Sequence, residues 1–86
     1  MITRRTVAQR IEGYLNGRVP LDEMVDWAEN ALLAGELSPR DAALLSQVLG
    51  RLGVADVREF GLTWDDCRLF LAQLGYQVHL EVRAIA

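Results

Sequence analysis

"YQVHLEVR", residues 76–83, decides how the rest of this chain is read. Successive side chains of an extended backbone point to opposite faces. Tyr76, Val78, Leu80 and Val82 would then form an apolar row, and Gln77, His79, Glu81 and Arg83 a polar one. That alternation predicts a β-strand over 76–83, covered on one face and wet on the other. No other segment alternates so cleanly. Both edges of a strand carry N–H and C=O groups that need partners. Within the chain, "GRVP" at 17–20 and "MIT" at 1–3 offer only short ladders. The alternatives are the same strand of a second copy across a two-fold axis, a strand from another protein, and a frayed extended tail. Pairing between two copies is the expectation, with His79 and Glu81 on the solvent side.

Upstream of the strand the periodicity is helical. Val7, Ile11, Tyr14 and Leu15 share one face of a helix over about 4–15, which "NG" at Asn16-Gly17 stops. Pro20 suits the first turn of a second helix, with Asp22 and Glu23 where the dipole favours acids. Its apolar stripe is Leu21, Met24, Val25, Ala28, Ala31 and Leu32, and Gly35 ends it. "SPRD" opens a third helix, with Ser38 as cap, Pro39 in first position and Asp41 reaching back. Leu45, Val48, Leu49 and Leu52 form its face, and Gly50 or Gly53 ends it. A short helical turn is expected at about 55–60, with Val54, Val57 and Phe60 inward. Thr63 caps a fourth helix with Asp66 at the capping-box position. Cys67, Phe70, Leu71 and Leu74 line its face, Trp64 anchors it on the core, and Gly75 closes it. Short connections imply antiparallel neighbours.

With 86 residues, the chain is expected to be one domain. A hydrophobic content of 51% is too high for a disordered chain. No apolar run approaches the ~20 residues that span a bilayer, so no membrane partner is expected. "MITRRTVAQR" lacks the apolar core and cleavage site of a secretory signal. The single cysteine, Cys67, excludes an internal disulfide and fits a reducing cytoplasm. All 9 basic residues are Arg, a usage that fits a bacterial, GC-rich genome. The net charge of -3 makes the protein acidic and argues against a general nucleic-acid binder.

Cys67 and His79 are the sole Cys and His, and a Cys–His nucleophile pair is conceivable. Cys67 lies on an apolar stripe, however, where free Cys behaves as a small hydrophobe. The spacing of Cys, His and acids matches no metal-ligand cluster. "GRLG" at 50–53 has the GxxG form of KH domains, but the helical segments before it do not suit that fold. "GELSPRD" could join a helix-turn-helix, yet the following helix has only Arg40 and Arg51 for a DNA groove. No phosphate loop, Ser-His-Asp set or paired buried carboxylates occur. The expectation is therefore no enzyme, no cofactor and no metal.

Asp22, Asp26 and Glu29 lie on one face of the second helix, with Glu23 alongside. They read either as an anionic stripe for a basic partner or as a solvated face. Arg4, Arg5 and Arg10 of the first helix would be in place to pair with them, at ~0–1 kcal/mol per exposed pair. Trp27 beside Asp26 reads as a half-buried core residue or, if exposed, as an interface hot spot.

"IEGYLNGRVPLDEMVDW", residues 11–27, resembles the opening of small helical bacterial immunity proteins of the colicin-immunity type. These begin with a helix ending in a tyrosine and a glycine turn, followed by an acid-rich helix. The similarity spans about the first third of the chain, and the terminal strand departs from the pattern. It implies a protein that blocks a basic toxin, with Asp22, Asp26, Trp27 and Glu29 as the contact set.

Together these readings predict a mainly α, compact four-helix domain with a short helical turn and one β-strand at 76–83 used in pairing. The expected function is a non-enzymatic, cytoplasmic bacterial protein–protein interaction domain. A homodimer through Tyr76, Val78, Leu80 and Val82 is the first expectation. An immunity- or antitoxin-type inhibitor acting through Asp22, Asp26, Trp27 and Glu29 is the alternative, and a DNA- or RNA-binding regulator is the third reading.

Overall fold

The first and last helices begin and end where a local backbone requirement is met. The computed structural model describes residues 1–85. It has four α-helices: α1 (Arg4–Leu15), α2 (Leu21–Ala34), α3 (Ala42–Leu52) and α4 (Trp64–Gln73). Thr3 and Thr63 cap α1 and α4 in reciprocal capping boxes, with Thr6 and Asp66 as the returning side chains. Both helices end in Schellman motifs. After α1, Gly17 has φ 77°, Arg18 N–H donates to Gly13 O at 2.8 Å, and Gly17 N–H donates to Tyr14 O at 3.1 Å. After α4, Gly75 has φ 96°, Tyr76 N–H donates to Leu71 O at 2.8 Å, and Gly75 N–H donates to Ala72 O at 3.0 Å. Such φ values strain any residue with a Cβ, so "NG" and "LG" are stops for a steric reason.

The apolar stripes converge on one core. Val7 and Ile11 of α1, Met24, Ala28 and Ala31 of α2, Leu45, Val48, Leu49 and Leu52 of α3, and Cys67 and Leu71 of α4 form a single buried cluster. Each large aliphatic side chain withdrawn from water contributes ~1.5–3 kcal/mol. α3 packs chiefly on α2 and α4 chiefly on α1. No side-chain polar atom is buried without a partner among the described residues.

The sequence reading departs from the structure at several points. The strand expected over 76–83 is absent, because no second strand lies beside it to form a ladder. The one β-bridge among the described residues joins Ile2 to Leu37 in parallel. Ile2 N–H donates to Glu36 O at 2.7 Å and Ser38 N–H to Ile2 O at 2.8 Å, so "MIT" is committed elsewhere. "GRVP" is committed as well, since Arg18 and Val19 N–H both close on Gly13 O.

The third helix starts later than expected. Residues Pro39–Asp41 form a 3₁₀ turn, and Ser38 makes no side-chain cap. Asp41 instead meets Arg4 at 3.3 Å, tying this turn to α1.

The helical turn expected at 55–60 is a series of short turns closed by Val57 N–H to Val54 O and Phe60 N–H to Val57 O. Ala55 is buried there, whereas Val57 and Phe60 face solvent. Phe60 is held outside because its ring lies against the Arg51 guanidinium, 5.3 Å from the centroid. Trp64 is 47% exposed and does not anchor α4, a role that falls to Cys67, Leu71 and Leu74. Leu32, placed in the core stripe of α2, is exposed.

Candidate functional site

Residues 76–85 leave α4 through its Schellman turn and run without regular secondary structure. Tyr76 N–H makes the last backbone hydrogen bond among the described residues, and no backbone group of 77–85 has a backbone partner. Val78 packs against the core. Beyond it the segment leaves the helical body: Leu80 is 75% exposed and Val82 85%. The radius of gyration, 13.2 Å, exceeds the ~12 Å of a compact chain of this length, as a projecting segment requires. Arg83 Nη2 donates to Glu81 Oε1 at 2.7 Å, and Arg83 Nε donates to the same oxygen at 2.9 Å. A contact between residues two apart is what an extended backbone allows, since both side chains lie on one face. The segment thus runs without a ladder, with Glu81 and Arg83 on one face.

An open groove of about 740 Å³ lies alongside residues 76–81. Its lining includes Ala8 and Glu12 of α1, Trp64 and Leu71 of α4, and Tyr76 and Val78. The exposed Trp64 therefore faces this groove instead of the core. Periodicity could not reveal this, because a tryptophan in the first turn of a capped helix reads equally well as core or rim.

The acids of α2 occupy a separate surface. Asp22, Asp26 and Glu29 are exposed. The ion pairs expected with α1 do not form: Arg4 pairs with Asp41, Arg18 with Glu12, and Arg10 stacks over Trp27 at 5.0 Å from the ring centroid. Among the described residues no ion pair involves Asp22, Glu23, Asp26 or Glu29. Trp27 is half-buried, with its ring partly covered by Arg10, and is not an exposed hot spot in this chain.

Cys67 is fully buried. Burial pushes its thiol up to about 11, with the Asp66 charge adding to the effect. A nucleophilic cysteine needs the opposite perturbation. His79 lies exposed on the projecting segment. No cluster of three or more His, Cys, Asp or Glu able to hold a metal occurs among the described residues, and no helix in them is long and apolar enough to cross a membrane. No protein-family model matches this chain, and no curated protein or solved structure is significantly similar to it.

Proposed function

We propose that this chain is a non-enzymatic protein–protein interaction domain that associates with a second copy of itself through residues 76–83. The observation behind this reading is the backbone of 77–85, which has no backbone hydrogen-bond partner among the described residues, while Leu80, Val82 and Ile85 face water. Ordering a residue costs ~1–2 kcal/mol in backbone entropy. A lone segment gains too little to offset that cost, and a ladder with covered side chains supplies the missing gain. An unpaired edge is also a template for strand addition. The segment's wet row carries both signs of charge, so a copy of itself is a chemically acceptable partner.

Sedimentation of the wild type and Leu80→Pro across a concentration range tests the reading. Proline removes a ladder donor and is not tolerated at the centre of a paired strand. Leu80 makes no core contact, so the helical circular dichroism of both proteins should match. The wild type is expected to move from monomer to dimer mass as concentration rises, and the proline variant to remain a monomer. A wild type that stays monomeric throughout overturns the proposal.

One observation favours a second reading: the acids of α2 are not neutralised by α1. On this reading the chain is an immunity- or antitoxin-type inhibitor that presents Asp22, Asp26 and Glu29 to a basic toxin, with the Trp27 edge beside them. A neighbouring gene encoding a basic protein that co-purifies with the wild type, but not with Asp26→Arg, would support it. Co-purification indifferent to Asp26→Arg would remove it.

A further inference from the structure

The self-association proposed above leaves the register open, and the charges of the segment select one. We infer that the two copies pair antiparallel with Leu80 on the two-fold axis, so that His79 of each copy faces the partner's Glu81. This inference rests on that proposal.

Directly opposed residues of an antiparallel pair share a face of the sheet. A two-fold axis must therefore pass beside a residue that faces its own counterpart. Only a few centres keep most of 76–84 in the ladder, and each brings different side chains together. An axis at Glu81 sets Glu81 against Glu81 and His79 against Arg83, and like charges directly opposite destabilise. An axis at His79 sets His79 against itself and leaves Arg83 facing Gly75. An axis at Val82 opposes Glu81 to Arg83, but it sets Leu80 against Ala84, so that of the apolar row only Val82 meets another member of that row. An axis at Leu80 opposes His79 to Glu81 twice, Gln77 to Arg83 twice and Val78 to Val82 twice.

Features of the monomer fit that register. The Schellman turn of α4 ends the helix at Gly75 and releases the chain at Tyr76, where this ladder would begin. Val78 is held against the core, so the partner's Val82, exposed in the free chain, is brought beside the helical body. An open groove of about 740 Å³ adjoins residues 76–81, and a paired strand would lie ~4.8 Å from the segment. The Glu81–Arg83 pair already formed within each chain would lie opposite the partner's His79 and Gln77, an imidazole and an amide that both complement it.

Cysteine cross-linking along the apolar row reads the register while leaving every charge in place. The variants are Val78→Cys, Leu80→Cys and Val82→Cys, oxidised mildly at concentrations where sedimentation shows dimer. Opposed Cα atoms lie ~4.5–5.5 Å apart, within disulfide reach, and the native Cys67 is fully buried. Leu80→Cys is expected to link to itself, and Val78→Cys to link to Val82→Cys. Both should react roughly tenfold or more faster than the remaining combinations, because thiols held in register have a high effective concentration. Fast self-linking of Val82→Cys, or of Leu80→Cys with Val82→Cys, would place the axis at Val82 or Glu81 and overturn this register while the self-association reading stands. A wild type that sediments as monomer removes both.

Discussion

The Arg51 guanidinium meets the Asp66 carboxylate at 3.4 Å across the connection between α3 and α4. The same guanidinium donates to Gly61 O at 2.9 Å and to Phe60 O at 3.1 Å, and its plane lies against the Phe60 ring. One side chain on α3 therefore closes the loop that follows it and touches the capping box of the next helix. Arg51→Met keeps the aliphatic stem and removes the donors. It should lower stability by about 1–2 kcal/mol, read as a fall in the urea midpoint. Arg51→Lys should recover little, because an ammonium cannot reproduce the planar fork that spans two carbonyls.

Asp66 makes part of this stability pH-dependent. Its carboxyl is held below the ordinary 3.8 chiefly by the Thr63 backbone N–H, with smaller help from the Thr63 hydroxyl and the Arg51 charge, against a desolvation effect of opposite sign. The folded form thus binds this proton less readily than the unfolded chain. The contribution is complete above the unfolded value and is lost as pH falls through the lowered folded one. Asp66→Asn should lower stability at neutral pH and flatten the loss below about pH 4. Equal acid slopes for the variant and the wild type in denaturant titrations across that window would contradict this.

Gly13 inverts a familiar rule. Replacing a helix-interior glycine with alanine ordinarily gains ~0.5–1 kcal/mol. A Cβ on Gly13 would lie 2.7 Å from Val19 Cγ2, because Val19 folds back over α1 through its bond to Gly13 O. Gly13→Ala is therefore expected to destabilise, and to regain the ordinary benefit in a Val19→Ala background. A double-mutant cycle by thermal or urea denaturation measures this coupling.

Cys67 should be inert in the native state. With the thiol buried and pushed up to about 11, little thiolate exists at pH 8 and none is accessible. Its reaction with a disulfide reagent should follow unfolding and accelerate with denaturant. Rapid stoichiometric labelling of the native protein would contradict the packing described.

The local signals of this chain were readable without coordinates. Thr63 with Asp66 announced a capping box, Asn16-Gly17 and Gly75 announced stops, and the apolar spacing on α1 and α3 identified their buried faces. These features depend on residues within one or two turns of each other. Several of the failures involve partners distant in sequence. Ser38 makes no side-chain cap; its N–H donates to Ile2 O, and Asp41 meets Arg4. Phe60 faces outward because Arg51 claims its carbonyl and ring. Among the described residues the acids of α2 form no ion pair, while Arg4 and Arg10 of α1 are engaged with Asp41 and Trp27.

The sequence by itself determined the capped ends of α1 and α4 and most of the residues that turn inward on the four helices, because helical backbone bonds and apolar spacing are local. It also determined the alternation of residues 76–83. Only the tertiary structure decided that this alternation stays without a ladder. A strand exists by pairing, and the two short segments that might have paired with it close on Leu37 and on Gly13 instead.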